Sequence, residues 1–283
     1  MNDTHFIFYR KDIFAEKGLK PPATFEELEE VSRKLTDKDK EFYGFISRGA
    51  RSPLVTQFSS YLYSFGGDFF DRSTKKASIN TPEFIAAAEF YGRLVRNYGP
   101  PGVLNMGWPQ AIAVFQQGKG AMYVDCSTQY AVLLDPTKSV VGDKTGIAMF
   151  PAGPKKHIFF DATPWAIGIS EKSQKKDAAW KFVRWFTDKK RCTIIQGDYA
   201  VQGTRMSVFE DPAGVKNFPP DMVAVLKQAP QFATAIDRPQ VTQVELARDI
   251  VGSVVTAAIE GQDVRAEAIK ADRALQDLLD KEG

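Results

Sequence analysis

At 283 residues and 43% hydrophobic content, the chain is long enough for one large globular domain or two modest ones. Its 37 Lys and Arg against 35 Asp and Glu leave a formal net charge of +2, too weak a field to recruit nucleic acid or an acidic membrane surface. The two histidines, His5 and His157, fall in no HxxxH or HExxH pattern, and Cys126 and Cys192 have no companion at metal-ligand spacing, so a zinc site or a histidine triad is poorly supplied.

The cysteines are expected to be two buried free thiols, with a single disulfide as the alternative. The longest apolar runs fall short of a membrane span, and no secretory leader pattern is read near Met1.

In chain order, Thr4 to Tyr9 is rich in aromatic and β-branched residues and predicts a strand almost at the first residue. A short helix from Arg10 closes at Gly18, and Thr24 with Glu27 forms a capping box for a helix carrying Phe25, Leu28, Val31 and Leu35. Phe42 to Ile46 reads as a strand, and Leu54 to Phe65 as an apolar helix broken by Gly66-Gly67. Asp68 to Asp71 and Ala77 to Asn80 suggest a small hairpin. Thr81-Pro82 is a strong helix start, and that helix runs to Val95.

From Trp108 to Ser127 the pattern changes from helical to extended. Ala111, Ile112, Val114 and Phe115 mark an apolar helix face, Gly118 and Gly120 stop it, and Ala121 to Val124 reads as a buried strand ending on Asp125. Asp125 is either a ligand contact at the mouth of an α/β element or the cap of a helix starting near Ser127. Gln129 to Leu134 suggests a helix, Thr145 to Phe150 a strand, and Trp165 to Ile169 an apolar strand. Lys175 to Thr187 predicts an amphipathic helix with Ala178, Ala179, Phe182, Val183 and Phe186 inward. After a glycine-containing crossing at Val201 to Ser207, helices follow at about Met222–Gln228, Val241–Glu260 and Val264–Leu279, the last with Ala266, Ile269, Ala274 and Leu278 on its packed face.

Enzymatic chemistry is thinly represented. There is no GxSxG elbow, no phosphate loop and no GxGxxG after a strand; Gly118-Lys-Gly120 ends a helix and precedes a strand, the reverse of the dinucleotide-binding order. Asp68 and Asp71 fit solvated turn aspartates better than a glycosidase pair. Binding is better supplied, because polyhydroxylated ligands are held by flat aromatic faces and by charge-assisted bonds to hydroxyls. Arg48, Trp108, Asp125, Trp165 and Arg205 lie at loop and strand ends where such contacts form, although each also has an ordinary packing or surface role open to it.

The segment Phe8-Tyr-Arg-Lys-Asp-Ile-Phe-Ala-Glu-Lys-Gly-Leu-Lys-Pro-Pro-Ala-Thr-Phe-Glu-Glu-Leu28 resembles a signature of the extracellular solute-binding proteins of bacterial ABC sugar importers. Tyr63 to Asp71, Phe115 to Met122, Trp165 to Ser170 and Ala257 to Gln262 match the same family in the same order. The resemblance implies an α/β, two-lobed periplasmic-binding-protein fold of the maltose-binding-protein-like type II, closing around its ligand, with no cofactor and no metal. It implies residues 1–9 as a crossing strand, 10–149 and 203–283 as the larger lobe, and 150–202 as a remnant of the other lobe. It places Thr4 and His5 on the first crossing beside the cleft, Arg48 and Asp125 at polar contacts, Trp165 on a cleft strand of the other lobe, and Thr204 and Arg205 on the third crossing.

The implied partners are a small-molecule sugar and the membrane subunits of an ABC permease. The implied location is periplasmic, or extracellular and lipid-anchored. Family members carry a further half-lobe before the strand at Thr4, so the first lobe is expected to be incomplete here, through truncation or because another chain or a domain swap supplies the rest. Self-association through that lobe is then open. Within this fold the alternative ligand is another small polar molecule such as a polyamine, for which acidic residues should dominate the cleft; outside it, the alternative is a carbohydrate-active enzyme.

Overall fold

The computed structural model describes residues 2–161 and 163–282. The chain opens with β1 (Asn2–Asp3) and β2 (His5–Arg10), then α1 (Lys11–Glu16), α2 (Phe25–Leu35) and α3 (Leu54–Ser64). The hairpin β3 (Phe70–Asp71) and β4 (Lys76–Ala77) precedes α4 (Pro82–Tyr98), α5 (Trp108–Gln116), β5 (Met122–Cys126), α6 (Gln129–Leu133) and β6 (Thr145–Met149). Next come β7 (Phe159–Phe160), β8 (Thr163–Pro164), α7 (Lys176–Phe186), α8 (Lys189–Tyr199), α9 (Met206–Phe209), α10 (Pro220–Gln228), β9 (Ala233–Thr234), α11 (Val244–Glu260) and α12 (Val264–Glu282).

The centre is an antiparallel sheet in the order β5-β2-β6, with Ile7 opposite both Val124 and Ala148. Side chains alternate across a strand, so β2 feeds two cores at once. Ile7, Met122 and Val124 enter one core with Phe25, Phe58, Tyr61 and Tyr91. Phe6, Phe8 and Tyr123 enter the other with Ile112, Phe115 and Met222. The result is a sheet between helical layers, the α/β class expected. Each fully buried phenylalanine of β2 contributes roughly 1.5–3 kcal/mol by leaving water.

Local chemistry sets several boundaries. Thr24 accepts from the Glu27 N–H at 3.2 Å, while the Glu27 carboxylate reaches one residue further back, to the Ala23 N–H at 2.7 Å. Thr81 caps α4 with Pro82 in its first turn. Gly118 ends α5 at φ +77°, a conformation that disfavours a side chain. In α4, Gly92 lets α11 come close: a Cβ there would stand 2.5 Å from the Ala258 Cβ. Gly92→Ala is therefore expected to lower stability by about 1–3 kcal/mol through overpacking, measured as a shifted urea midpoint at unchanged slope.

Several expectations need correction. Phe42 to Ile46 is a run of single bridges, because between its parallel bonds to residues 119–124 the Gly44 and Phe45 N–H groups turn to Thr36 Oγ1 and the Tyr98 carbonyl. Trp165 to Ile169 is not a strand: pairing stops at β8, whose partner β1 has only two residues, and Trp165 is 67% exposed. The face of α7 expected inward is largely uncovered: Ala179 and Val183 are half-buried, but Ala178, Phe182 and Phe186 are exposed beside Trp180 and Trp185, since among the described residues only α8 packs substantially on it. In α12 the packed face is Val264, Ala268, Ala271, Leu275, Leu278 and Leu279; Ala266, Ile269 and Ala274 face outward, one position round the helix from the expected stripe. Both thiols are free, but Cys192 is only half-buried.

Candidate ligand-binding site

A cleft of about 660 Å³ opens where β1, the start of α3, the end of β5 and the start of α11 converge. β5 delivers Cys126, and the turn into α6 delivers Thr128 and Gln129. Trp108, at the first position of α5, and Trp165, just beyond β8, present their indoles, 43% and 67% exposed. Phe160 supplies a further aromatic wall.

The polar centre is a buried ion pair. Arg48 donates from Nε and Nη2 to the two carboxylate oxygens of Asp125 at 2.9 and 2.6 Å, the bidentate geometry that favours guanidinium–carboxylate pairing. Burial works against both charges, but each partner outweighs it, so Arg48 lies above its ordinary value and Asp125 below. The pair is held from outside: Tyr91 Oη donates to the Arg48 carbonyl at 2.6 Å, and Asp125 accepts the Cys126 N–H at 2.7 Å. Asp125 is thus a strand residue paired to Arg48 and caps no helix.

Of the residues expected at the site, Arg48, Trp108 and Trp165 meet in the cleft, and Asp125 stands directly behind Arg48. Thr4 and His5 are wholly buried beneath it: His5 opens the central strand β2, whose two faces are both covered, and Thr4 stands just before it. The Thr4 hydroxyl donates to Asp161 and accepts from Gln202 Nε2 at 3.0 Å. The His5 ring stacks between Phe150 and Phe160 at 4.3 and 4.7 Å, so it supports the cleft wall from behind. Desolvation depresses His5 to about 3, with Arg48 adding to it and Asp125 opposing. Thr204 and Arg205 lie outside the cleft; Arg205 instead donates to the Thr187 carbonyl at the corner between α7 and α8.

The structure adds Asp3, Thr56, Asp237, Arg238 and Arg248 to the lining. Asp3 accepts from the Trp165 indole N–H at 3.1 Å and from the Thr128 hydroxyl. Asp237 accepts from Arg238 Nε at 2.8 Å and from the Thr56 hydroxyl at 3.2 Å. Among the described residues, the buried Gln129 Oε1 has no hydrogen-bond partner. Among the described residues no group of His, Cys, Asp and Glu has the arrangement of a metal site.

A family model described as bacterial extracellular solute-binding protein matches residues 1–190. The chain is 29% identical over 217 residues to a mannitol-binding protein of Pseudomonas aeruginosa, covering 74% of this chain and 50% of that protein. Over 194 residues it is 29% identical to a maltotriose-binding protein of Pyrococcus abyssi, covering 65% and 38% respectively. The chain thus spans about half the length, or less, of these two curated relatives. A solute-binding protein from Agrobacterium radiobacter K84 solved with ribitol superposes at TM-score 0.87 and 29% identity, over 98% of this chain and 70% of that one. Another from Agrobacterium vitis S4, with bound D-mannitol, gives 0.85 and 27%, over 100% and 72%.

Proposed function

Since the chain belongs to the bacterial extracellular solute-binding protein family, we propose that its cleft takes a sugar or sugar derivative, mono- or oligosaccharide or polyol, and hands it to the membrane permease of an ABC importer. The observation that carries this reading is the meeting of two exposed indoles, Trp108 and Trp165, with a buried bidentate pair, Arg48 and Asp125. Flat aromatic faces take the C–H surface of a polyol, and fixed charged and amide groups take its hydroxyls. The ligands of the mannitol-binding and ribitol-bound relatives support the same chemistry.

In this reading the protein is a non-catalytic carrier working in the periplasm or outside the cell, with the larger lobe at residues 10–149 and 203–283 and the smaller part at 150–202. A polyamine fits less well, since the lining sets Arg48, Arg238 and Arg248 against only Asp3 and Asp237. The uncovered apolar face of α7 supports self-association through the smaller part.

Isothermal titration with D-mannitol, ribitol and maltose tests the proposal. At least one is expected to bind, and Trp165→Ala to weaken it about tenfold or more, roughly 1.4 kcal/mol, while leaving the unfolding midpoint within error because the indole is exposed. Binding unchanged in Trp165→Ala would remove this cleft as the site.

A further inference from the structure

The charges around the cleft do not all find partners. Asp125 is taken by both donors of Arg48. Asp237 is taken by Arg238 and by Thr56. Asp3 is taken by the Trp165 indole and the Thr128 hydroxyl. Each aspartate in or behind the lining is thereby engaged, and none of these bonds reaches Arg248.

Arg248 is the residue left over. Its side chain is only 11% exposed, and among the described residues its one ion pair is with Glu245 at 3.2 Å, a carboxylate that is itself 72% exposed and also accepts from Ser52. A pair with so exposed a partner holds its arginine only weakly. Among the described residues, the buried Arg248 Nε has no hydrogen-bond partner. A buried polar donor left unpaired is costly, and more so when it belongs to a charged group. Burial, and then repulsion from the Arg238 guanidinium that lines the same cleft, hold Arg248 below the ordinary arginine value against the opposing pull of Glu245 and Asp237. An anion between them would relieve the repulsion at the cleft wall that both residues line.

We propose that Arg238 and Arg248 form a seat for a carboxylate carried by the ligand, which makes the cleft selective for an open-chain polyhydroxy acid over the neutral polyol of the same length. This rests on the polyol- and sugar-binding reading above and narrows it. A guanidinium offers a planar fork of donors that matches a carboxylate, and charge-assisted bonds are about twice as strong as neutral ones. The hydroxyls and C–H surface of the acid would meet the indoles of Trp108 and Trp165. One negative charge suffices, because Arg48 and Arg238 already have their carboxylates.

The test is isothermal titration of the 283-residue chain with D-gluconate and D-mannitol, at about 0.05 M and about 0.5 M salt, with the Arg248→Gln and Arg248→Lys variants alongside. Gluconate is expected to bind at least about tenfold more tightly than mannitol, with a preference that shrinks at high salt. Arg248→Gln should bring the two ligands within about threefold, and Arg248→Lys should keep part of the preference, since it retains the charge but not the fork. Should Arg248→Gln fail to fold, the wild-type comparison decides alone. Mannitol binding as tightly as gluconate at both salt concentrations would overturn the carboxylate seat and leave the polyol reading standing. Binding of neither acid nor polyol, nor of ribitol or maltose, would overturn both.

Discussion

Asp125→Ala is expected to destabilise the folded chain by about 3–5 kcal/mol, the largest effect of any single substitution at the cleft. The loss comes less from the missing contact than from what remains. Arg48 would be left buried and charged, with only the Cys126 Sγ at 3.5 Å in place of two carboxylate oxygens. It cannot simply swing into water, because its own backbone carbonyl is pinned by Tyr91. Removing both partners should cost less than removing either. The double variant Arg48→Met with Asp125→Leu eliminates both desolvation penalties, and replacing buried pairs with apolar residues is often close to neutral. Urea unfolding of the two single variants and the double gives the coupling directly. A single-variant loss below about 1 kcal/mol would mean that Arg48 reaches solvent after all.

Acidification should weaken the fold well before the carboxylates protonate, and His5 is the cause. Its folded value of about 3 lies below the ordinary 6.5 because the ring is wholly buried, with Arg48 reinforcing the effect against Asp125. The unfolded chain takes up that proton as pH drops through 6.5, whereas the folded chain does so only near 3. The stabilisation is therefore complete above the unfolded value and is lost as pH falls through the window between the two. Each pH unit in that window costs about 1.4 kcal/mol, so a descent to about pH 4.5 should remove roughly 2–3 kcal/mol. Asp125 adds its own loss only as pH falls through its ordinary value of 3.8, where the unfolded chain takes up a proton that the folded chain still refuses. His5→Phe keeps a flat ring between Phe150 and Phe160 and removes the titration. Its unfolding free energy should change little between neutral pH and about pH 4.5, and a slope as steep as that of the unaltered chain would assign the effect elsewhere.

Much of the architecture was legible because its signals are local. The strand at His5–Arg10, the Thr81-Pro82 start of α4 and the Gly118 stop of α5 each follow from a few adjacent residues. Arg48, Trp108 and Trp165 were identified by residue type at element ends, and they do meet. Arg238 and Arg248 were missed for a physical reason. Asp237-Arg238-Pro239 reads like any charged surface turn. Arg248 sits at the flank of an α11 face made by Ala247, Val251, Val254 and Val255, and only the packing of that helix decides whether its guanidinium is covered. A charged residue bordering an apolar stripe was the available clue. In α7 the opposite happened: hydrophobic periodicity states which face wants cover, and it carries no information on whether a neighbour is there to provide it.

The alternation along β2 has a mechanical consequence. Phe6 and Phe8 anchor one core and Ile7 the other, so the two share a single backbone as their common wall. Neither can dissolve while the other stays intact, because pulling the strand from one opens its reverse side to water. Two hydrophobic reservoirs that might have melted in sequence are coupled into one cooperative unit. A register slip of one residue would invert both at once, which makes these six residues the point where the sheet tolerates least error.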